Sequence, residues 1–236
     1  MMEEVTKFLM KILKDASFNL LCKLRDPNLE IKDLFIWKYT KSFTSFNIHD
    51  HFQSPGPNIP AEDLVFLLQH IKAKTRIMNI KVANFKYDKP IQGKDIRINN
   101  TGWVTTECLK GSEVVQVFIS GECINYNEII RHWLNGGSPN LENIKFSHHG
   151  FLTQLDQVCD GLIKKPTVFT EEDLAHRDIS SRPKNGYDIQ RNGDYRLFTV
   201  FAEGVYIVMI VWHQKHFSFL EPKTRDRLQL EYGIQL

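Results

Sequence analysis

Histidine and cysteine are the side chains best suited to chemistry here, and they fall into three groupings. His49-Asp50-His51 sets two imidazoles around a carboxylate, His148-His149 forms a pair, and cysteines stand at positions 22, 108, 123 and 159. Alternating histidines in a strand share one face and offer two metal ligands, but no H-E-x-x-H or H-x-E pattern supplies a third ligand and a base. No two cysteines form a C-x-x-C pair, which excludes a zinc knuckle and a thioredoxin-like motif. Cys123 or Cys159 with His132 or His148 has the residue types of a nucleophile and its base, the minimum for a hydrolase, yet neither cysteine lies in a recognisable catalytic context. Burial as a small apolar residue is the favoured state. The glycines form no G-x-G-x-x-G, no G-x-x-x-x-G-K-[ST] and no G-x-S-x-G elbow. The expectation is no catalytic residue, no cofactor site and no metal site.

Other classes are narrowed by composition. Thirty Lys and Arg against 28 Asp and Glu leave a net charge of +2, too small to imply a phosphate-binding surface. Lysines and aromatics interleave at Phe85-Lys86-Tyr87 and from Trp212 to Phe219, but Trp212 ends a run of core-type residues and no RNP-type motif is present. No nucleic acid is expected as a partner. The longest apolar uncharged run, Val205 to Trp212, is far short of the roughly 20 residues that span a bilayer, so no membrane partner is expected. The acidic start, Met1-Met2-Glu3-Glu4, is unlike a secretory leader and points to an intracellular protein, cytoplasmic or nuclear.

The clearest structural signal runs from Tyr126 to Phe146. Ile129, Ile130, Trp133 and Leu134 mark one helix face, Gly136-Gly137 stops that helix, Pro139 bars its restart, and Leu141, Ile144 and Phe146 follow in an L-x-x-L-x-L frame. Phe43 to Ile48, Thr75 to Ile80 and Val114 to Ile119 fit the same frame, and Asp95 to Ile98 fits its second half. Their anchors Phe46, Met78, Ile96, Val117 and Ile144 recur at intervals that scatter around the roughly 20 to 29 residues of leucine-rich repeats. Helical pieces fall between them, one opening at Pro60 and one capped by Asn127. The fold class expected is α/β: an irregular leucine-rich-repeat-like curved sheet with helices on one side. A C-terminal antiparallel meander closes it, from strands at Tyr187 to Arg191, Tyr195 to Phe201 and Val205 to Trp212. Asn192-Gly193 predicts a type I′ turn between the first two strands, and Thr170 with Asp173 predicts a capping box.

Three regions follow. Residues 1–40 open on an amphipathic helix expected over 3–24, continuous or broken near Ser17, residues 41–220 form the repeat-like region, and residues 221–236 are a polar tail, helical or frayed.

Asn127 to Phe146, with Trp-Leu-x-Gly-Gly and Pro-Asn-Leu-Glu-x-Ile, resembles the F-box-associated region of the large Caenorhabditis-type F-box protein expansion. Tyr187-Asp188-Ile189-x-Arg191-x-Gly193 followed by Val205 to Trp212 is similar to the end of that region. The likeness covers about residues 110 to 215. It implies that residues 41–220 are a noncatalytic module that captures a protein substrate, and that an N-terminal F-box docks a Skp-type adaptor of a cullin-RING ubiquitin ligase. Residues 1–40 lack a Leu-Pro-x-x-Leu opening, so the first helix reads as an F-box remnant or the chain as a stand-alone protein-binding module. Positions between the apolar anchors, Thr44, Asn47, Lys81, Arg97, Gln116 and Lys145, are the candidate protein-binding surface.

Overall fold

The computed structural model describes residues 2–12, 18–23, 30–49, 58–99, 101–119, 124–148, 155–177, 179, 185–194 and 196–235. In chain order the elements begin with helix α1 (Met2–Ile12), strands β1 (Asn19–Lys23) and β2 (Ser42–His49), helix α2 (Ala61–His70), and strands β3 (Lys72–Asn79), β4 (Gly93–Asn99) and β5 (Ser112–Ile119). There follow α3 (Tyr126–Leu134), β6 (Asn143–His148), α4 (Leu155–Val158), β7 (Lys165–Pro166), α5 (Glu171–Ala175), β8 (Tyr187–Gln190), β9 (Leu197–Glu203), β10 (Tyr206–Trp212) and α6 (Pro222–Tyr232). The protein is α/β, with a ten-stranded sheet in the order β1-β2-β3-β4-β5-β6-β10-β9-β8-β7. Two compact units divide the chain: Met1–Ser112 with Phe118–Ile124, and Glu113–Val117 with Asn125–Leu236.

In the first unit β1, β2, β3 and β4 are parallel neighbours. The register aligns Phe46, Arg76 and Ile96 in one row and Ile48, Met78 and Ile98 in another, all buried. Helix α2 contributes Leu64, Leu67 and Leu68 to the same core. Among the described residues buried Arg76 has no carboxylate partner. Its Nε donates to Gln92 O at 2.7 Å and its Nη1 to Leu67 O at 3.2 Å, while Nη2 donates to Ile71 O. A guanidinium thus satisfies carbonyls that the end of α2 leaves open. The helix expected over 3–24 ends earlier: Asn19–Lys23 is a strand in register with β2, from Asn19 opposite Ser45 to Lys23 opposite His49. Leu20 and Leu21 continue the helical spacing, but pairing with β2 gives their backbone a ladder partner, which overrides local propensity.

In the second unit α3 ends as the Gly-Gly pair predicts. Gly136 N–H donates to Trp133 O and Gly137 N–H to His132 O, both at 3.0 Å, with Gly136 at φ 87°. That is a Schellman cap. The second glycine serves a different need, because a Cβ at Gly137 would stand 2.1 Å from His132 Nε2. The capping box at Thr170 and Asp173 forms.

Strand β9 pairs antiparallel with both β8 and β10, and β10 pairs antiparallel with β6. Helices cover both faces of β9 rather than one. Trp133 of α3 packs on Phe198 at 5.2 Å, whereas Phe201, on the alternate face, joins the cluster of Val208, Trp212, Leu228 and Tyr232. The polar tail is therefore largely helix, and α6 buries Thr224, Leu228 and Tyr232.

The β8–β9 connection is not the two-residue turn expected. It runs from Arg191 to Arg196, closed by Arg191 N–H to Arg196 O at 2.9 Å, and Gly193 has positive φ while Asn192 does not. Asp194 explains the extra length: its Oδ1 accepts from Arg191 Nε at 2.9 Å and from Arg196 N–H at 3.3 Å.

Candidate recognition surface

The residues suited to chemistry do not assemble into a reaction centre among the described residues. Cys22, Cys108 and Cys159 are buried free thiols. Burial pushes the Cys22 and Cys159 thiols up to about 11 and raises Cys108, the opposite of what a thiolate nucleophile needs. Cys108 instead donates to Tyr87 O at 3.0 Å. Cys123, Asp50, His51 and His149 lie outside the described residues, as do the side chains of His49 and His148. The His132 ring packs over Gly137. Among the described residues no three His, Cys, Asp or Glu side chains are grouped to hold a metal ion, and no helix is long and apolar enough to cross a membrane.

One charged cluster escaped the sequence reading. Glu142, just before β6, receives Arg177 Nη2 at 2.8 Å and Lys215 Nζ, with His216 Nε2 at 3.3 Å and His213 Nε2 at 3.9 Å. His216 Nδ1 accepts from His213 N–H at 3.0 Å, which leaves Nε2 to carry the proton of a neutral ring. Arg177 Nη1 sits 2.9 Å from His216 Nε2, and burial together with that cation lowers the His216 pKa to about 4. Glu142 is held below the ordinary carboxylate range by Lys215 and Arg177 against an opposing desolvation penalty. The cluster ties the residue before β6, the turn after α5 and the 3-10 turn Gln214–Phe219 together. No spacing rule links positions 142, 177, 213, 215 and 216, so only the folded chain brings them together.

The D-I-x-R residues are also structural. Asp188 is buried, with Oδ1 accepting from Thr199 Oγ1 at 2.6 Å and Oδ2 accepting from Val168 N–H at 2.9 Å and from the Tyr232 hydroxyl at 3.3 Å. Trp212 Nε1 extends the network by donating to Thr199 Oγ1 at 2.8 Å. Arg191 makes a two-pronged ion pair with Asp194.

The six candidate surface positions separate. Asn47 and Arg97 share a row, Leu21–Asn47–Ile77–Arg97, and the adjoining row is Asn19–Ser45–Thr75–Asp95. All eight of these side chains keep solvent exposure, Leu21 at 51%, on the face opposite Phe46 and Ile48. Arg97 pairs with Asp95 through Nη2 to Oδ2 at 2.9 Å and Nε to Oδ1 at 3.3 Å. Asn47 Oδ1 is buried without a hydrogen-bond donor among the described residues.

Thr44 is exposed but lies three positions from Asn47 in one strand, so it falls on the other face, with Phe46. Lys81 follows β3, exposed and bridged to Asn58. In the second unit Gln116 is half-buried in β5. Lys145 is half-buried in β6, with Nζ 4.2 Å from the Tyr206 ring centroid and 3.2 Å from Glu203 Oε2.

No family model, curated protein or solved structure matches the chain.

Proposed function

We propose that the chain is a noncatalytic protein-recognition module and that its binding surface is the solvent-facing side of β1 to β4. The observation that carries this reading is the exposure of those two rows. Parallel strands are normally covered on both faces, whereas here one face buries Phe46, Ile48, Met78 and Ile98 and the other leaves Leu21, Asn47, Ile77 and Arg97 partly open. A surface mixing apolar, amide and charged groups suits a protein partner. The reading includes an irregular, leucine-rich-repeat-like curvature for the parallel strands and an antiparallel C-terminal close. A hydrolase built on Cys159 is disfavoured by its raised thiol, while Cys123 lies outside the described residues.

The likeness to F-box-associated regions supplies the finer proposal: a substrate receptor of a cullin-RING ubiquitin ligase, acting inside the cell, in cytoplasm or nucleus. Purified Skp-type adaptor mixed with the folded full chain tests it. Retention supports the ligase link, while absence of retention removes that link and leaves a stand-alone binding module. Recognition itself is tested by an Asn47→Arg, Arg97→Glu variant, which should lose the proteins that the wild-type chain retains.

A further inference from the structure

Three Asn-Gly pairs occur in the chain: Asn135-Gly136, Asn185-Gly186 and Asn192-Gly193. Asparagine is chemically labile, and most so before glycine, where no Cβ shields the next backbone nitrogen from the side-chain carbonyl carbon. All three asparagines are exposed, so side-chain exposure does not separate them. The glycine nitrogens differ. Gly136 N–H donates to Trp133 O at 3.0 Å in the cap of α3, and Asn135 N–H donates to Arg131 O at 3.0 Å. Ring closure at Asn135 would break that cap. Gly186 is buried where a Cβ would stand 3.1 Å from Phe201 Cβ and 3.2 Å from Val200 O, and its carbonyl accepts from Thr167 N–H at 2.9 Å. Its backbone has no room to turn toward the Asn185 side chain. Gly193 is exposed, a Cβ there would meet nothing within 4 Å, and among the described residues its N–H has no acceptor. The bonds that hold the β8–β9 connection run through Arg191, Asp194 and Arg196 and bypass Asn192 and Gly193.

We propose that Asn192 is a modification site: it deamidates spontaneously in the folded chain while Asn135 and Asn185 are protected, and its isoaspartyl product is open to a carboxyl methyltransferase. The Gly193 nitrogen bonds to Asn192 Cγ, the Cγ–Nδ2 bond breaks, and the Gly193 proton leaves with the amide nitrogen as ammonia. Water then opens the succinimide ring. Attack at Cγ gives aspartate, and attack at the backbone carbonyl carbon gives isoaspartate, with the chain running through Cγ and the α-carboxylate free. Water is the only co-reactant. Either product adds a negative charge to the connection next to Arg191, whose Nε is bonded to Asp194 Oδ1 at 2.9 Å. The isoaspartyl form also lengthens the main chain by a methylene in a loop closed by Arg191 N–H to Arg196 O. A modifying enzyme can reach it, because Asn192, Gly193 and Asp194 are all exposed. This site lies in the second unit and does not rest on the protein-recognition reading.

Ageing the folded full chain in mildly alkaline buffer tests this, with peptide mapping by mass spectrometry at the three sites and methyl transfer by an isoaspartyl carboxyl methyltransferase. Conversion at 192 should outrun conversion at 135 and at 185 by at least about tenfold. The same incubation in urea should bring the three rates together, because all three share the Asn-Gly pair and only the fold distinguishes them. Asn192→Gln should remove methyl acceptance from the folded chain, since its longer side chain closes a six-membered ring far more slowly. Equal or faster conversion at 135 or 185, or no conversion at 192 where the unfolded chain converts, would overturn the proposal. So would an unchanged ranking in urea, or methyl acceptance that survives Asn192→Gln. Conversion at 192 to aspartate alone, without methyl acceptance, would overturn the isoaspartyl assignment.

Discussion

The guanidinium of Arg191 lies 4.8 Å from the ring centroid of Trp133, and its Nη1 donates to the Trp133 carbonyl at 3.3 Å. This joins the end of α3 to the end of β8, and so joins the two sequence motifs that carry the F-box-associated likeness. Both motifs thereby contribute to the scaffold of the second unit.

Arg191→Ala should cost about 2 to 4 kcal/mol, because the Asp194 ion pair, the bond to Trp133 O and the cation–π contact are lost together. Arg191→Lys should recover only part, since an ammonium cannot make the two-pronged contact. Trp133→Phe keeps an aromatic face and removes an indole N–H that has no acceptor among the described residues, so it should cost less than Arg191→Ala. Urea unfolding of the three variants checks the order.

The two glycines after α3 should respond differently. Gly136→Ala is strained by its positive φ and should cost about 1 kcal/mol whatever occupies position 132. Gly137→Ala drives a methyl into the His132 ring, and His132→Ala should relieve most of that cost. A double-mutant cycle therefore couples 137 with 132 and leaves 136 independent.

Asp188→Ala should be among the most damaging changes, about 3 to 5 kcal/mol, because Val168 N–H, Thr199 Oγ1 and the Tyr232 hydroxyl lose one shared acceptor. Burial raises the Asp188 pKa above its usual 3.8. The sign follows from linkage: its contribution is full below 3.8 and falls as pH rises through the folded value. Asp188→Asn should abolish that portion of the pH dependence, as read from stability measured at a series of pH values.

His216 acts in the opposite direction. Its pKa falls from 6.5 to about 4 on folding, so the unfolded chain binds the proton more readily, and stability is lost as pH drops from 6.5 towards 4. Allowing for partial solvent screening, the loss is on the order of 1 to 2 kcal/mol. Glu142, depressed from 4.5, adds a further loss below that value. His216→Gln should flatten the stability curve between pH 6.5 and 4.

Legibility in the sequence followed the range of the interactions. Phe46, Met78, Ile96 and Ile144 could be read as strand anchors because alternation with period two is local, and the cap at Gly136-Gly137 because its bonds span six residues. Strand β1 could not, since Leu20 and Leu21 suit a helix face equally well and only pairing with β2 decides between the two. In α6, Thr224, Leu228 and Tyr232 keep the i, i+4 spacing of one helix face, but with so few apolar residues in a charged stretch the sequence left helix and frayed tail open. Of the candidate surface, Asn47 and Arg97 share a row because register aligned them. Thr44 fell on the opposite face because three is not a multiple of the strand period. The Glu142 cluster, drawn from distant segments, had no sequence signal.

The most direct measurement is partner retention by the wild-type chain and by the Asn47→Arg, Arg97→Glu variant side by side, with circular dichroism showing both folded. Loss of the retained proteins by at least about tenfold in the variant is expected if the open face of β1 to β4 is the recognition surface. Equal retention by two folded chains would contradict it.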